Sequence, residues 1–87
     1  LSGRVHDLKC WPAFFEPIYD GDKMFEVRKN DRGFQTGDLL TLREWDPERN
    51  YRSGAYTDRT LNMVISYVLS GFDGIENGYV VMGLRCA

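Results

Sequence analysis

Five residues within ten positions of the segment GDKMFEVRKNDR carry groups that could act together: Lys23, Glu26, Arg28, Lys29 and Arg32. In an extended strand, Glu26 and Arg28 lie two positions apart and leave the backbone on the same face, opposite Phe25 and Val27. A guanidinium offers paired donors in a fixed plane to phosphate or a base edge, and a carboxylate accepts from an exocyclic amine. Lys23 precedes this strand while Lys29 and Arg32 follow it, so cations stand at both ends. Such a set suits a planar, polar, anionic ligand such as a nucleotide. The same alternation also describes an ion-pair network on a solvent-facing strand, where each pair contributes ~0–1 kcal/mol.

Charge distribution bears on the choice. Residues 23–32 hold four cations (Lys23, Arg28, Lys29, Arg32) and two anions (Glu26, Asp31), a local +2, whereas the 87-residue chain has a net charge of −2. An acidic chain is a poor non-specific coat for nucleic acid, but it can carry one small basic face. Trp11, Phe34, Trp45, Tyr51, Tyr56 and Tyr79 fall at strand ends or in loops, where a base can stack for ~1–3 kcal/mol. Trp11 and Trp45 serve equally well as large side chains closing the ends of a small barrel. His6, beside Asp7, reads as a hydrogen-bonded structural residue, since no Ser or Cys nucleophile pairs with it. Cys10 and Cys86 have no CxxC spacing and too few partners for a zinc site. Both are expected to be reduced, as small buried hydrophobes on terminal strands; a disulfide between neighbouring terminal strands is the alternative. Neither metal nor cofactor is called for.

These groups need strands to position them. The one helix is expected at residues 12–20, opened by Pro12 after Trp11, with Phe14, Phe15 and Ile18 at helical spacing, and stopped by Gly21. Five short strands follow from alternation and turn signals: VHDLKC, MFEVRK, LLTLREW after the turn QTGD, TLNMVISYVL and GYVVMGLRC. In LLTLREW, Leu40, Leu42 and Glu44 share a face. In TLNMVISYVL, Leu61, Met63, Ile65, Tyr67 and Leu69 form a period-two apolar row, expected to be core. In the last strand Val80, Met82 and Leu84 share a face, and Gly83 marks a bulge or a close approach. DPERNYRSGAYTDRT reads as a long hairpin connection. The expectation is a mainly β fold with one or two helices: a closed or nearly closed, antiparallel-rich β-barrel of about five strands, with a helix covering one end. Eighty-seven residues fit one domain, 1–87. No apolar run is long enough for a membrane helix and no signal-peptide pattern opens the chain, so a cytoplasmic setting is expected.

The stretch GDKMFEVR followed by GDLL resembles the ASCH (activating signal cointegrator homology) domain of the PUA-like superfamily, whose signature is GxKxxExR and then a GD turn before a hydrophobic strand. More closely, HDLKCWPAFFEPIYDGDKMFEVRKNDRGFQTGDLLTLREWD, YTDRTLNMVISYVL and GYVVMGL resemble the family called domain of unknown function 3850, over residues 6–84. The resemblance implies a PUA-like barrel with a cleft that binds RNA or a nucleotide, single-stranded or with a modified base. Lys23, Glu26 and Arg28 would line that cleft, with Lys9, Trp11 and Tyr79 as neighbours. It also includes small amidohydrolases that deacetylate acetylcytidine nucleosides with a lysine, a following threonine nucleophile and a glutamate. Lys23 matches that lysine, but Met24 stands next and has no nucleophilic oxygen, so a hydroxyl would have to come from Thr57 or Thr60.

Three readings follow. The first is a nucleic-acid or nucleotide-binding module in which Lys23, Arg28, Lys29 and Arg32 engage phosphate and Glu26 orients Arg28 or reads a base. The second is an amidohydrolase acting on a modified nucleoside. The third is a protein-interaction module, of the kind attached to transcription or translation, that uses the Trp11 and Trp45 surface.

Overall fold

A computed structural model of the chain describes residues 3–87. Its elements run β1 (Val5–Cys10), α1 (Pro12–Tyr19), β2 (Phe25–Lys29), β3 (Leu39–Asp46), α2 (Arg49–Arg52), β4 (Ala55–Leu69) and β5 (Tyr79–Cys86). The strands form one sheet in the order β1-β3-β4-β5-β2. β1 runs parallel to β3, and the other three pairings are antiparallel. The sheet is mixed and curls into a half-barrel. Its edge strands β1 and β2 are not hydrogen-bonded to each other as a ladder. The expected mainly β architecture of five strands is therefore present, open along one seam rather than closed.

The concave face carries the core. Leu8, Leu40, Leu42, Met63, Ile65, Val80, Met82 and Leu84 from the sheet meet Phe15 and Ile18 from α1 and Phe34 from the loop before β3. Pro12 opens α1 as expected, and the Trp11 carbonyl accepts from the N–H groups of both Phe14 and Phe15 (2.9 and 2.8 Å). Gly21 ends the helix at φ +84°, a conformation that carries little steric cost without a Cβ.

The period-two row of β4 stops at Ile65. The β4·β5 register shifts between Ile65 and Tyr67, so Ser66 is a bulge residue and the faces exchange: Tyr67 is 64% exposed, and Val68 packs against the core instead. Leu61 is partly buried against the core, Met63 and Ile65 are fully within it, and Tyr67 and Leu69 are not. Gly83 lies opposite this bulge, where a Cβ would stand 2.8 Å from Ser66 Oγ, so the close approach expected there is present.

A second shift, between Arg43 and Trp45, corrects the reading of residues 46–60 as one long connection. Pairing resumes at Trp45↔Tyr56 and Asp46↔Ala55, which leaves 47–54 as the hairpin tip and gives 55–60 to β4. The charged run Thr57-Asp58-Arg59 hid the strand, because here it bulges opposite Glu44, with Asp58 at φ +73°. At the tip, Gly54 lies flat against the Trp45 indole. Of the cysteines, Cys10 is buried as expected, while Cys86 is exposed because the chain runs past the last core residue, Leu84; both are free thiols.

Candidate functional site

The face on which Glu26 and Arg28 stand is fixed by β5. Glu26 pairs across the ladder with Met82 and Arg28 with Val80, both core residues, so the two charged side chains point into the half-barrel. Phe25 and Val27 point outward and are 44% and 50% exposed. The solvent-facing ion-pair network is thereby ruled out: Glu26 is a buried carboxylate, and burial of this kind requires partners. It has two. Arg28 Nε donates to Glu26 Oε2 (2.8 Å), and Lys23 Nζ donates to Oε1 (3.2 Å). Lys23 reaches this position because its own backbone N–H is held by the carbonyl of Pro17 (3.0 Å), so the end of α1 sets where the lysine stands.

Arg28 also spans the open seam. Its Nη2 donates to the Lys9 carbonyl (2.6 Å), and Arg32 Nη1 donates to the Asp7 carbonyl (3.1 Å). Two guanidiniums thus close the gap between β1 and β2 where backbone pairing does not. Arg32 is aimed by its turn, in which Asn30 Oδ1 accepts from the Phe34 N–H (2.9 Å) and the Asn30 N–H donates to the Gly78 carbonyl (2.8 Å).

Two clefts lie along the seam. The larger, about 470 Å³, is lined by Lys9, Cys10, Trp11 and Phe14 on one side and by Glu26, Val27 and Arg28 on the other. Lys9 Nζ sits 4.3 Å from the Trp45 ring centre, and Trp45 lies 6.5 Å from Trp11, so an aromatic shelf with a cation on it stands beside this cleft. The smaller, about 180 Å³, is lined by Leu8, Arg28, Lys29, Asp31, Arg32 and Phe34. The structure thus brings Lys9, Trp11, Glu26 and Arg28 to one cleft and Lys29 and Arg32 to its neighbour, while Lys23 does not line either and is joined to the first through Glu26. Tyr79 belongs to neither: it lines a separate hollow with Val27 and Val81. Residues alternate along β5, and the neighbour that faces inward is Val80.

A second buried carboxylate, absent from the site residues expected from sequence, lies opposite the β4 bulge. Glu44 Oε1 accepts from the Thr57 hydroxyl (2.5 Å) and from Arg59 Nε (3.0 Å), and Oε2 accepts from Arg59 Nη2 (3.0 Å). Arg59 Nη2 continues to Glu16 Oε1 on α1 (2.8 Å), with the guanidinium over the rings of Phe15 and Tyr19. The Arg59 hydrogen bonds, with help from Thr57 and against the opposing effect of burial, hold the Glu44 carboxyl below the ordinary range. So low a carboxyl is a weak base, and the Thr57 hydroxyl is committed to it. The signal in the sequence was Glu44 in phase with Leu40 and Leu42: a carboxylate on an apolar face needs a partner from elsewhere.

Two further groups sit beside these. Burial, and after it the Glu26 carboxylate, push the Cys10 thiol up to about 11, so at neutral pH it is protonated and a poor nucleophile. At the other end of β1, His6 Nε2 hydrogen-bonds Asp38 Oδ2 (2.8 Å), which is the structural role expected of it. Burial pushes the Asp38 carboxyl up, but the bond from His6, then the Gln35 N–H and nearby positive charge, outweigh this and hold it low. Among the described residues, no three His, Cys, Asp or Glu side chains converge to hold a metal ion.

Comparison with known proteins places this arrangement in a family. The model for the domain of unknown function DUF3850 matches residues 5–84. An Escherichia phage P2 protein, described as an uncharacterized 12.9 kDa protein in the GpA 3′ region, is 30% identical over 82 residues, covering 94% of this chain and 69% of its own length. The chain belongs to the DUF3850 family.

Proposed function

We propose that this DUF3850 domain binds single-stranded RNA or a nucleotide along the seam between β1 and β2. The observation that carries the reading is Arg28: a guanidinium anchored by a buried carboxylate on one side and a main-chain carbonyl on the other, at the wall of a cleft that also presents Lys9 and Trp11. Glu26 is the positioning residue, and Lys23 keeps its charge balanced. Trp11, exposed at the rim, offers a face for a base. Lys29 and Arg32 extend the positive charge along the same seam. The resemblance of GDKMFEVR and GDLL to ASCH and PUA-like domains supports a nucleic-acid ligand as well.

Binding is favoured over acyl transfer for a chemical reason. Met24 follows Lys23 and packs against the core, the Cys10 thiol is protonated, and the Thr57 hydroxyl is committed to Glu44. Purified protein should therefore leave acetylcytidine intact, and sustained turnover would overturn this part of the reading.

The test of binding is fluorescence anisotropy with short single-stranded RNA and DNA at several salt concentrations. With so few clustered cations, about 2–4 phosphates are neutralised, and log affinity should fall with log salt at a slope of roughly −1.5 to −3. Arg28→Ala should lose most of the affinity, because a lysine nearby does not replace a forked donor, whereas Lys29→Ala should mainly reduce the slope by about one contact. Binding by Arg28→Ala equal to wild type would remove this site, and the Trp11 and Trp45 surface would then be tested for a protein partner.

A further inference from the structure

We infer that the seam takes one nucleotide unit across both clefts, with the base in the larger, the phosphate in the smaller, and Arg28 as the shared wall. This rests on the reading of the seam as a ligand site and adds how the ligand is divided between its two parts.

The two clefts differ in the chemistry they offer. The smaller holds three cations, Arg28, Lys29 and Arg32, against one carboxylate, Asp31, with Leu8 and Phe34 completing its wall. At about 180 Å³ it has room for a phosphate and little else. Among the described residues, the Lys29 side chain makes no hydrogen bond or ion pair, and Asp31 takes part in no ion pair. Arg32 uses Nη1 on the Asp7 carbonyl, and its other side-chain donors have no partner among the described residues. The net charge of +2 matches a terminal phosphate, which carries about −1.5 to −2 at neutral pH. The larger cleft is bounded by Trp11, Phe14 and Val27, flat or apolar surfaces, with Lys9 held over the Trp45 ring, and the charge of its one carboxylate is offset by Lys23. Its flat and apolar walls suit a planar ring.

Arg28 joins the two. Nε and Nη2 are held by Glu26 and the Lys9 carbonyl, which fixes the guanidinium plane, while Nη1 has no partner among the described residues. A ligand bridging the wall can use these donors without rearranging it, and a fixed donor loses little freedom on binding.

Isothermal titration calorimetry of the whole chain, with a panel of nucleosides, their 5′-monophosphates and inorganic phosphate, tests this. The monophosphate should bind roughly tenfold or more tightly than its nucleoside, since the added contacts are charged hydrogen bonds. Arg32→Ala should abolish that gap and Lys29→Ala should narrow it, with nucleoside affinity unchanged in both. If Arg32→Ala also loses the nucleoside because the seam opens, Lys29→Ala, which holds nothing on β1, decides the matter. Equal affinity for nucleoside and monophosphate in the wild type, or a gap that survives both substitutions, overturns the two-cleft division while leaving the binding reading in place. Absence of binding by any nucleotide or oligonucleotide overturns both. Trinucleotides with and without a 5′-phosphate distinguish a strand end from a free nucleotide as the source of the phosphate.

Discussion

Glu26 and Glu44 look alike by every local criterion. Each is a glutamate in phase with core residues, each is about equally buried (4% and 5% exposed), each accepts from an arginine, and Cys10 feels the charge of both. They differ in where their partners come from. Glu44 is served from another strand: Thr57 and Arg59 reach it from the β4 bulge, and Arg59 goes on to Glu16, which ties β3, β4 and α1 into one closed network. Glu26 is served from its own strand and the turn before it, and its arginine points spare donors at a cleft. A buried ion pair whose partners cross elements acts as a clamp. One whose partners are local leaves donors for a ligand.

Ile65 lies fully buried in the core that both glutamates border, and Ile65→Ala should set the scale of the largest loss, ~2–5 kcal/mol by chemical denaturation. A change within measurement error would mean that the concave face is not the core. Arg59→Ala and Arg28→Ala then separate the two glutamates. Arg59→Ala strands a buried anion and unties α1, so it should lower the urea midpoint clearly more than Arg28→Ala, which leaves Lys23 on Glu26. For oligonucleotide affinity the order should reverse. If the two variants rank the same way in both measurements, the distinction between clamp and ligand site fails.

Acid sharpens the contrast. The Glu44 and Asp38 carboxyls have folded-state values below their unfolded ones, so their stabilisation is complete above the ordinary carboxyl value of about 4 and is lost as pH falls through the lowered folded values. Wild-type Tm should therefore drop steeply below about pH 4. Glu44→Gln should flatten that limb, and an unchanged slope would show that the clamp does not carry it. The smallest effect is at the thiols. Cys86 is exposed and should react readily with a thiol reagent at neutral pH, whereas Cys10, pushed up to about 11, should react only after unfolding. Rapid modification of both would show that the larger cleft admits solvent to its floor.

Much of the fold could be read from residue order because its signals are local. Pro12 and Gly21 bound a helix by their own backbone preferences, and the alternation of Leu40, Leu42, Val80, Met82 and Leu84 follows from strand geometry alone. The misreadings fall at the two register shifts. Tyr67 and Leu69 continue a perfect alternation and still leave the core, and Thr57-Asp58-Arg59 looks like loop and is strand, because a bulge is a relation between two strands. The candidate site divides in the same way. That Glu26 and Arg28 share a face was legible, and Tyr79 fell outside the cleft because its side chain sits one step out of phase with Val80.

By itself the sequence determined which residues stand on the same face of each uninterrupted run of strand, since parity is a property of successive backbone units and holds until a bulge resets it. Only the tertiary structure decided which face looks inward, that Glu44 meets Arg59 fifteen residues away, and that β1 and β2 are joined by arginines rather than by a ladder. Those outcomes depend on register between distant strands, which the packing of the whole core selects and no local segment encodes.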